Sequence, residues 1–157
     1  MSLHVVILSG MNAVDTTQYL HDNGFQDDIV LENQIQRYTK IVGKENPIRI
    51  TLWVALNSIL TQLLLIGIKY RLKHIIYLYH PFKPITLLRA HGWFKFTMET
   101  FKDYNFKMVL CCYNKNEEWK NKGYDRLISH IANMFIYDDQ TIPHYSSTLN
   151  KILKKFN

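Results

Sequence analysis

The sequence predicts an α/β protein, a three-layer, doubly wound and mostly parallel sheet of about five strands with helices on both faces. Three observations predict it. Short runs rich in β-branched and aromatic residues, His4–Leu8, His74–Tyr79, Lys107–Cys112 and Met134–Tyr137, are apolar without strict alternation, as strands buried on both faces of a parallel sheet are. Stretches of helical periodicity lie between these runs. The chain carries no repeats, no low-complexity tract and no linker rich in Gly, Pro or Ser. Residues 1–157 therefore read as one domain, large enough to bury most of its apolar surface without disulfides or a structural metal.

Taken in order, the strand His4–Leu8 runs into Ser9-Gly10, and a helix over Val14–Asn23 follows. Asn23-Gly24 stops that helix, because glycine accepts the left-handed conformation that other residues resist. A long helix is expected from Asn46-Pro47, with Asn46 capping orphan amides and Pro47 in the first helical position. Within it, Ile50–Ile68 has roughly the ~20-residue length that crosses a bilayer, and Lys69, Arg71 and Lys73 would suit a cytoplasmic flank. On a helical wheel, however, Thr51, Asn57, Ser58, Thr61 and Gln62 fall on one side, the stripe of an amphipathic helix on a core. No stable membrane insertion is expected. After the strand His74–Tyr79 comes a helix through Leu87–Tyr104, with Leu88, Trp93, Phe96 and Phe101 as its core face. Helices through Glu117–Ile131 and from His144 to Phe156 complete the pattern. Ligands of such sheets bind at the carboxyl ends of the strands, which here are Ser9-Gly10, His80-Pro81, Tyr113-Asn114 and Asp138-Asp139.

Charge is unevenly distributed within the formal net +6. Residues 1–46 hold six acids and three bases, residues 47–157 sixteen bases and seven acids. The imbalance suits an anionic substrate or a nucleic-acid partner, and equally suits lysines dispersed on solvated faces. Cys111 and Cys112 are neighbours in one apolar run, so on a strand they point to opposite faces and read as core thiols of a reducing compartment. His4–Leu8 is too short for a secretory signal and no basic region precedes it. An intracellular, cytoplasmic location is expected.

The chemistry-bearing segment is Val5-Val6-Ile7-Leu8-Ser9-Gly10-Met11-Asn12-Ala13-Val14-Asp15-Thr16-Thr17. An apolar strand enters a glycine, four residues follow, and Asp15, Thr16 and Thr17 stand where a G-x-x-x-x-G-K-S/T loop has glycine, lysine and a hydroxyl. In such a loop successive backbone amides at a helix start cradle phosphate, the lysine neutralises the transferred group and the hydroxyl holds magnesium. Gly10 can make the turn, Asn12 lies among the amides that would point inward, and Thr17 could ligand Mg when a nucleotide binds. Thr16 brings no positive charge, and Asp15 repels phosphate unless a cation intervenes.

The whole arrangement resembles the P-loop nucleotide kinase-like families, especially dephospho-coenzyme A kinase and the phage-type deoxynucleoside monophosphate kinases. Asp15-Thr16-Thr17-Gln18-Tyr19-Leu20 with Asn23-Gly24-Phe25 looks like the latter group's helix start, with Val14 where its lysine belongs. Ala132–Thr141 and the helix to Leu153 are similar to the last strand, polar turn and final helix of both families. The resemblance therefore implies a P-loop kinase type of sheet, ATP with Mg as cofactor, and Asp138, Asp139 and Gln140 beside the nucleotide base. Departures accompany it. Tyr79-His80-Pro81-Phe82-Lys83 keeps a strand-end proline and loses the families' acid, and the arginine-bearing lid is reduced to residues 114–130 with Lys115, Lys120, Lys122 and Arg126. The acceptor-site acids have no counterpart beyond the nearby pair Asp27-Asp28.

Catalytic candidates are consequently few. His80 stands at a strand end where a base or phosphate donor could act, and Lys83 and Arg126 are the cations that could replace the missing lysine. The other histidines show no metal-ligand spacing, and no G-x-S-x-G elbow occurs. Trp93-Phe94-Lys95-Phe96, with Arg89, Lys102 and Lys107, mixes aromatics and bases as single-strand binding surfaces do, although the aromatics equally suit a core face. The leading expectation is a degenerate kinase-like protein, catalytically impaired, that binds a nucleotide, a protein partner or both. The alternatives are an active nucleotide or small-molecule kinase with a non-standard loop, and a basic nucleic-acid-binding protein.

Overall fold

The computed structural model describes residues 2–30, 35–55, 71–80, 83–104, 106–112, 130, 136–137, 140–141, 144–145 and 149–156. The described strands are β1 (Ser2–Ser9), β2 (Gln26–Val30), β3 (Ile35–Val42), β4 (Ile48–Ala55), β5 (His74–Tyr79), β6 (Lys107–Cys112), β7 (Ile136–Tyr137), β8 (Gln140–Thr141) and β9 (His144–Tyr145). The helices are α1 (Ala13–Asp22), α2 (Pro84–Thr100) and α3 (Leu149–Lys154). Seven strands form one mixed sheet in the order β2-β3-β4-β1-β5-β6-β9.

The fold is α/β, and its main sheet departs from the one expected from strand and helix spacing by having seven strands rather than about five and by ending in an antiparallel part. Strands β4, β1, β5, β6 and β9 are parallel, whereas β2, β3 and β4 form an antiparallel end. Counted among themselves, the parallel strands run 2-1-3-4-5, the flavodoxin-like order, whose switch point lies between β1 and β5.

The antiparallel end replaces part of the expected long helix. Asn46-Pro47 belongs to the β3–β4 turn, which Gly43 enters with a φ of 91°, and residues 48–55 form a strand. Ile48, Ile50, Leu52 and Val54 alternate with Arg49, Thr51 and Trp53, a period of two that pairing with β1 and β3 converts into sheet. Residues 56–68 of that expected helix, and all of Glu117–Ile131 except the helical His130, lie outside the described residues. At the carboxyl end Ile136–Tyr137 pairs antiparallel with Gln140–Thr141 in a separate ladder, so it is not the last strand of the main sheet. That place belongs to His144–Tyr145, expected as helix, and α3 begins only at Leu149. A two-residue ladder shows no period by which to tell it from a helix start.

Two apolar layers sandwich the sheet. Leu87, Ala90 and Phe94 of α2 pack on Val6, Leu8, Ile75, Tyr77 and Tyr79. On the other face Tyr19 and Leu20 of α1, with Leu149, Ile152 and Leu153 of α3, pack on Val5, Ile7, Leu52, Ile76 and Leu78. Cys111 and Cys112 are fully buried and enter opposite layers, as neighbours on a strand must. Burial pushes the Cys111 thiol up to about 12, which makes it a poor nucleophile. Among the described residues no helix is long and apolar enough to cross a membrane.

Candidate functional site

The switch point brings two helix starts together. From β1 the chain turns through Ser9–Asn12 into α1 on one face; from β5 it turns through His80–Lys83 into α2 on the other. Gly10 joins the two turns. Its amide donates to the Leu78 carbonyl at 2.8 Å, and a Cβ on it would overlap the Thr86 carbonyl oxygen. The first turn of α2 therefore rests directly on the glycine.

Below this contact the β1–α1 turn is bonded to itself. Thr16 Oγ1 donates to the Asn12 carbonyl at 2.8 Å, so its 2.7 Å contact with Ser9 Oγ takes the Ser9 proton. Ser9 Oγ in turn accepts from the Met11 amide at 3.1 Å. Asn12 caps α1: its Oδ1 accepts from the Asp15 amide at 2.8 Å, and its Nδ2 donates to Asp15 Oδ2 at 3.2 Å. The Thr16 amide closes the first helical turn on the Asn12 carbonyl at 3.0 Å. Four amides that a phosphate cradle would draw on, those of Gly10, Met11, Asp15 and Thr16, thus have acceptors within the chain.

Cations reach the turn from α2. Lys83 Nζ lies 3.3 Å from Asp15 Oδ2, and Arg89 Nη1 donates to the Gly10 carbonyl at 3.3 Å. The Thr86 hydroxyl donates to the Lys83 carbonyl at 2.6 Å and accepts from the His80 amide at 2.9 Å, which fixes the strand end. Burial lowers the His80 proton affinity, Lys83 lowers it further and Asp15 opposes them, so the imidazole is neutral at pH 7. Asp15 meanwhile sits in the first turn of α1, where the helix dipole favours negative charge. An incoming phosphate meets a carboxylate already there.

Of the residues singled out from the sequence, Gly10, Asn12, Asp15, Thr16, His80 and Lys83 gather at this mouth. Thr17 does not join them: its hydroxyl is 3.0 Å from Tyr38 Oη, between α1 and β3. Asp27 pairs with His21 at 2.7 Å. Asp28 Oδ2 lies 2.8 Å from Arg37 Nε, an ion-pair distance off hydrogen-bond alignment. Gln140 begins β8; Arg126, Asp138 and Asp139 lie outside the described residues. Thr86 and the turn-bracing role of Arg89 were not legible in the sequence. The one signal for Thr86 was its position just past Pro84, where a hydroxyl near a helix start bonds free backbone groups.

The aromatic segment of α2 is turned differently from expectation. Phe94 is its most buried ring, on a face with Leu87, Ala90 and Thr97, while Trp93, Phe96 and Phe101 pack at the margins and Leu88 is exposed. Among the described residues no three His, Cys, Asp or Glu side chains converge as a metal site would require. No protein-family model matches the chain, and comparison with curated proteins found no match.

Proposed function

We propose that the chain is a catalytically impaired P-loop kinase-like protein that acts by binding, to a nucleotide, a protein partner or both, at the mouth between β1 and β5. The observation that carries this reading is the self-bonded β1–α1 turn. Its Gly10, Met11, Asp15 and Thr16 amides have acceptors within the chain, α2 rests on its glycine, and a carboxylate stands at its helix start. Efficient phosphoryl transfer needs positive charge and free amides at that position. A protein partner is supported by the rim: Val14, Ile85 and Leu88, exposed by 77%, 54% and 43%, belong to the two helix starts that Asp15 and Lys83 join.

The active-kinase reading keeps one observation in its favour. Lys83 does arrive beside the turn, from another strand end, and could serve where the loop lysine is missing. Equilibrium binding of a non-hydrolysable ATP analogue with magnesium tests nucleotide binding under both readings. Asp15→Asn releases Lys83 and removes the repulsive carboxylate, so affinity should rise by roughly three- to tenfold. Lys83→Ala should weaken it. Absence of binding by the parent and by Asp15→Asn would remove the nucleotide and leave the protein partner.

A further inference from the structure

The opposite end of the sheet carries a feature that the mouth does not use. At the amino-terminal ends of the parallel strands, Arg49 opens β4 beside Ser2 of β1, Lys73 directly precedes β5, and Lys107 opens β6 beside His74. The Lys107 amide donates to the Lys73 carbonyl at 2.7 Å, which holds the last two side by side. Arg71, just ahead, is the one non-glycine described residue with positive φ, at 57°. A left-handed arginine is strained, and strain of this kind clusters at functional sites.

All four side chains are exposed, and none forms an ion pair among the described residues. Glu45, Glu99 and Asp103 lie towards the same end, and none of them forms an ion pair with these four cations. Lys40 adds to the field from a cleft of about 340 Å³ that it shares with Arg49, Gly24, Gln26, Thr39 and Ile41. Its Nζ donates to the Asn23 carbonyl and to Asn150 Oδ1, neither of which carries a formal charge. Between the cations His74 has its proton affinity lowered by burial and then by Lys107 and Lys73.

We infer that this amino-terminal end of the sheet binds the phosphate backbone of a nucleic acid through Arg49, Arg71, Lys73 and Lys107. The spacing suits it: β4, β1, β5 and β6 span three strand intervals, about 14 Å, or roughly four nucleotides along one strand of a stacked helix, at ~3.4 Å of helix axis each. Cations alone hold a protein only weakly to an anionic membrane, and stable attachment takes apolar side chains that insert beside them. Among the described residues only Ile41 of the exposed large apolar side chains lies at this end; Val14, Ile85 and Leu88 are at the other. The surface is also separate from the β1–β5 mouth, so either can fail without the other.

Fluorescence anisotropy with a labelled oligonucleotide, single-stranded and duplex, across a potassium chloride series tests the surface. Four phosphate contacts should give a log–log salt slope of about −3 for the single strand. Replacing Arg49, Lys73 and Lys107 together by Gln should weaken binding at least tenfold and bring the slope near −1, each single replacement lowering it by about 0.7. Lys95→Gln, on the exposed side of α2, should leave binding unchanged, and circular dichroism should show each variant folded. No binding at low salt, or equal binding by the triple variant, overturns the inference. So does binding to phosphatidylserine–phosphatidylcholine vesicles without binding to either oligonucleotide.

Discussion

Gly10 and Gly92 show how one residue type does opposite work in two places. A methyl group at Gly10 would meet the Thr86 backbone, which cannot yield without lifting α2, whereas a Cβ at Gly92 meets nothing within 4 Å. Gly10→Ala should cost about 2 kcal/mol or more, as overpacking does; Gly92→Ala, inside α2, should stabilise by about 0.5–1 kcal/mol. Urea-unfolding midpoints of the two variants check both signs, and a neutral Gly10→Ala would refute the close approach. The histidines supply a second residue-scale prediction. His4, His74 and His80 all have proton affinities lowered chiefly by burial, with Arg37 acting on His4, Lys107 and Lys73 on His74, and Lys83 on His80. His4 Nδ1 must also stay unprotonated to accept from Trp53 Nε1 at 3.3 Å. The unfolded chain takes up these protons near pH ~6.5 and the folded chain only below it. Stability from this source is therefore complete above pH ~6.5 and falls as acid passes through the lower folded values. Unfolding midpoints should drop between about pH 7.5 and about pH 5.5, by less in His4→Gln, and an unchanged midpoint would contradict the assignment.

At the scale of elements, the strands buried on both faces were the legible part. β1, β5 and β6 fall where continuous apolar runs stand, and α1 lies within a residue of its expected limits because Asn23-Gly24 ends it. The antiparallel end was not legible. β2 opens on the exposed polar Gln26, Asp27 and Asp28, β3 buries Gln36 and exposes Ile41, and the cap-like Asn46-Pro47 resembles a helix start that strand pairing on both sides of β4 overrides. The rotation of α2 was misread for a related reason. With large apolar residues on most of its surface, periodicity alone does not choose among faces. Contact with β5 chooses Phe94, whose hidden ring stacks edge-on against Tyr77 at a centroid distance of 6.3 Å. Phe94→Ala should therefore cost about 3–5 kcal/mol, while Leu88→Ala, on the exposed side, should change stability by less than about 0.5 kcal/mol. Thermal or chemical unfolding of the pair decides the orientation, since the reverse ranking would require the other face to be buried.

At the scale of the whole molecule, the candidate mouth was partly visible in the sequence because strand ends at a switch point are where α/β proteins bind ligands. Gly10, Asp15, His80 and Lys83 could be picked as strand-end and helix-start residues before any packing was known. That Lys83 pairs with Asp15, and that Thr86 closes over Gly10, depends on β5 lying beside β1 and on both helices starting at one point. A linear pattern holds neither relation. The same topology separates the mouth from the cationic amino-terminal end of the sheet, giving one small protein two surfaces of different chemistry. The claim that this chain binds rather than transfers phosphate is tested most directly by a radiolabelled γ-phosphate transfer screen over nucleoside monophosphates and small alcohols with ATP and magnesium. The expected result is no transfer above the protein-free control, in the parent and in Asp15→Asn alike. Robust turnover that Lys83→Ala abolishes would contradict it and establish an active kinase with a non-standard loop.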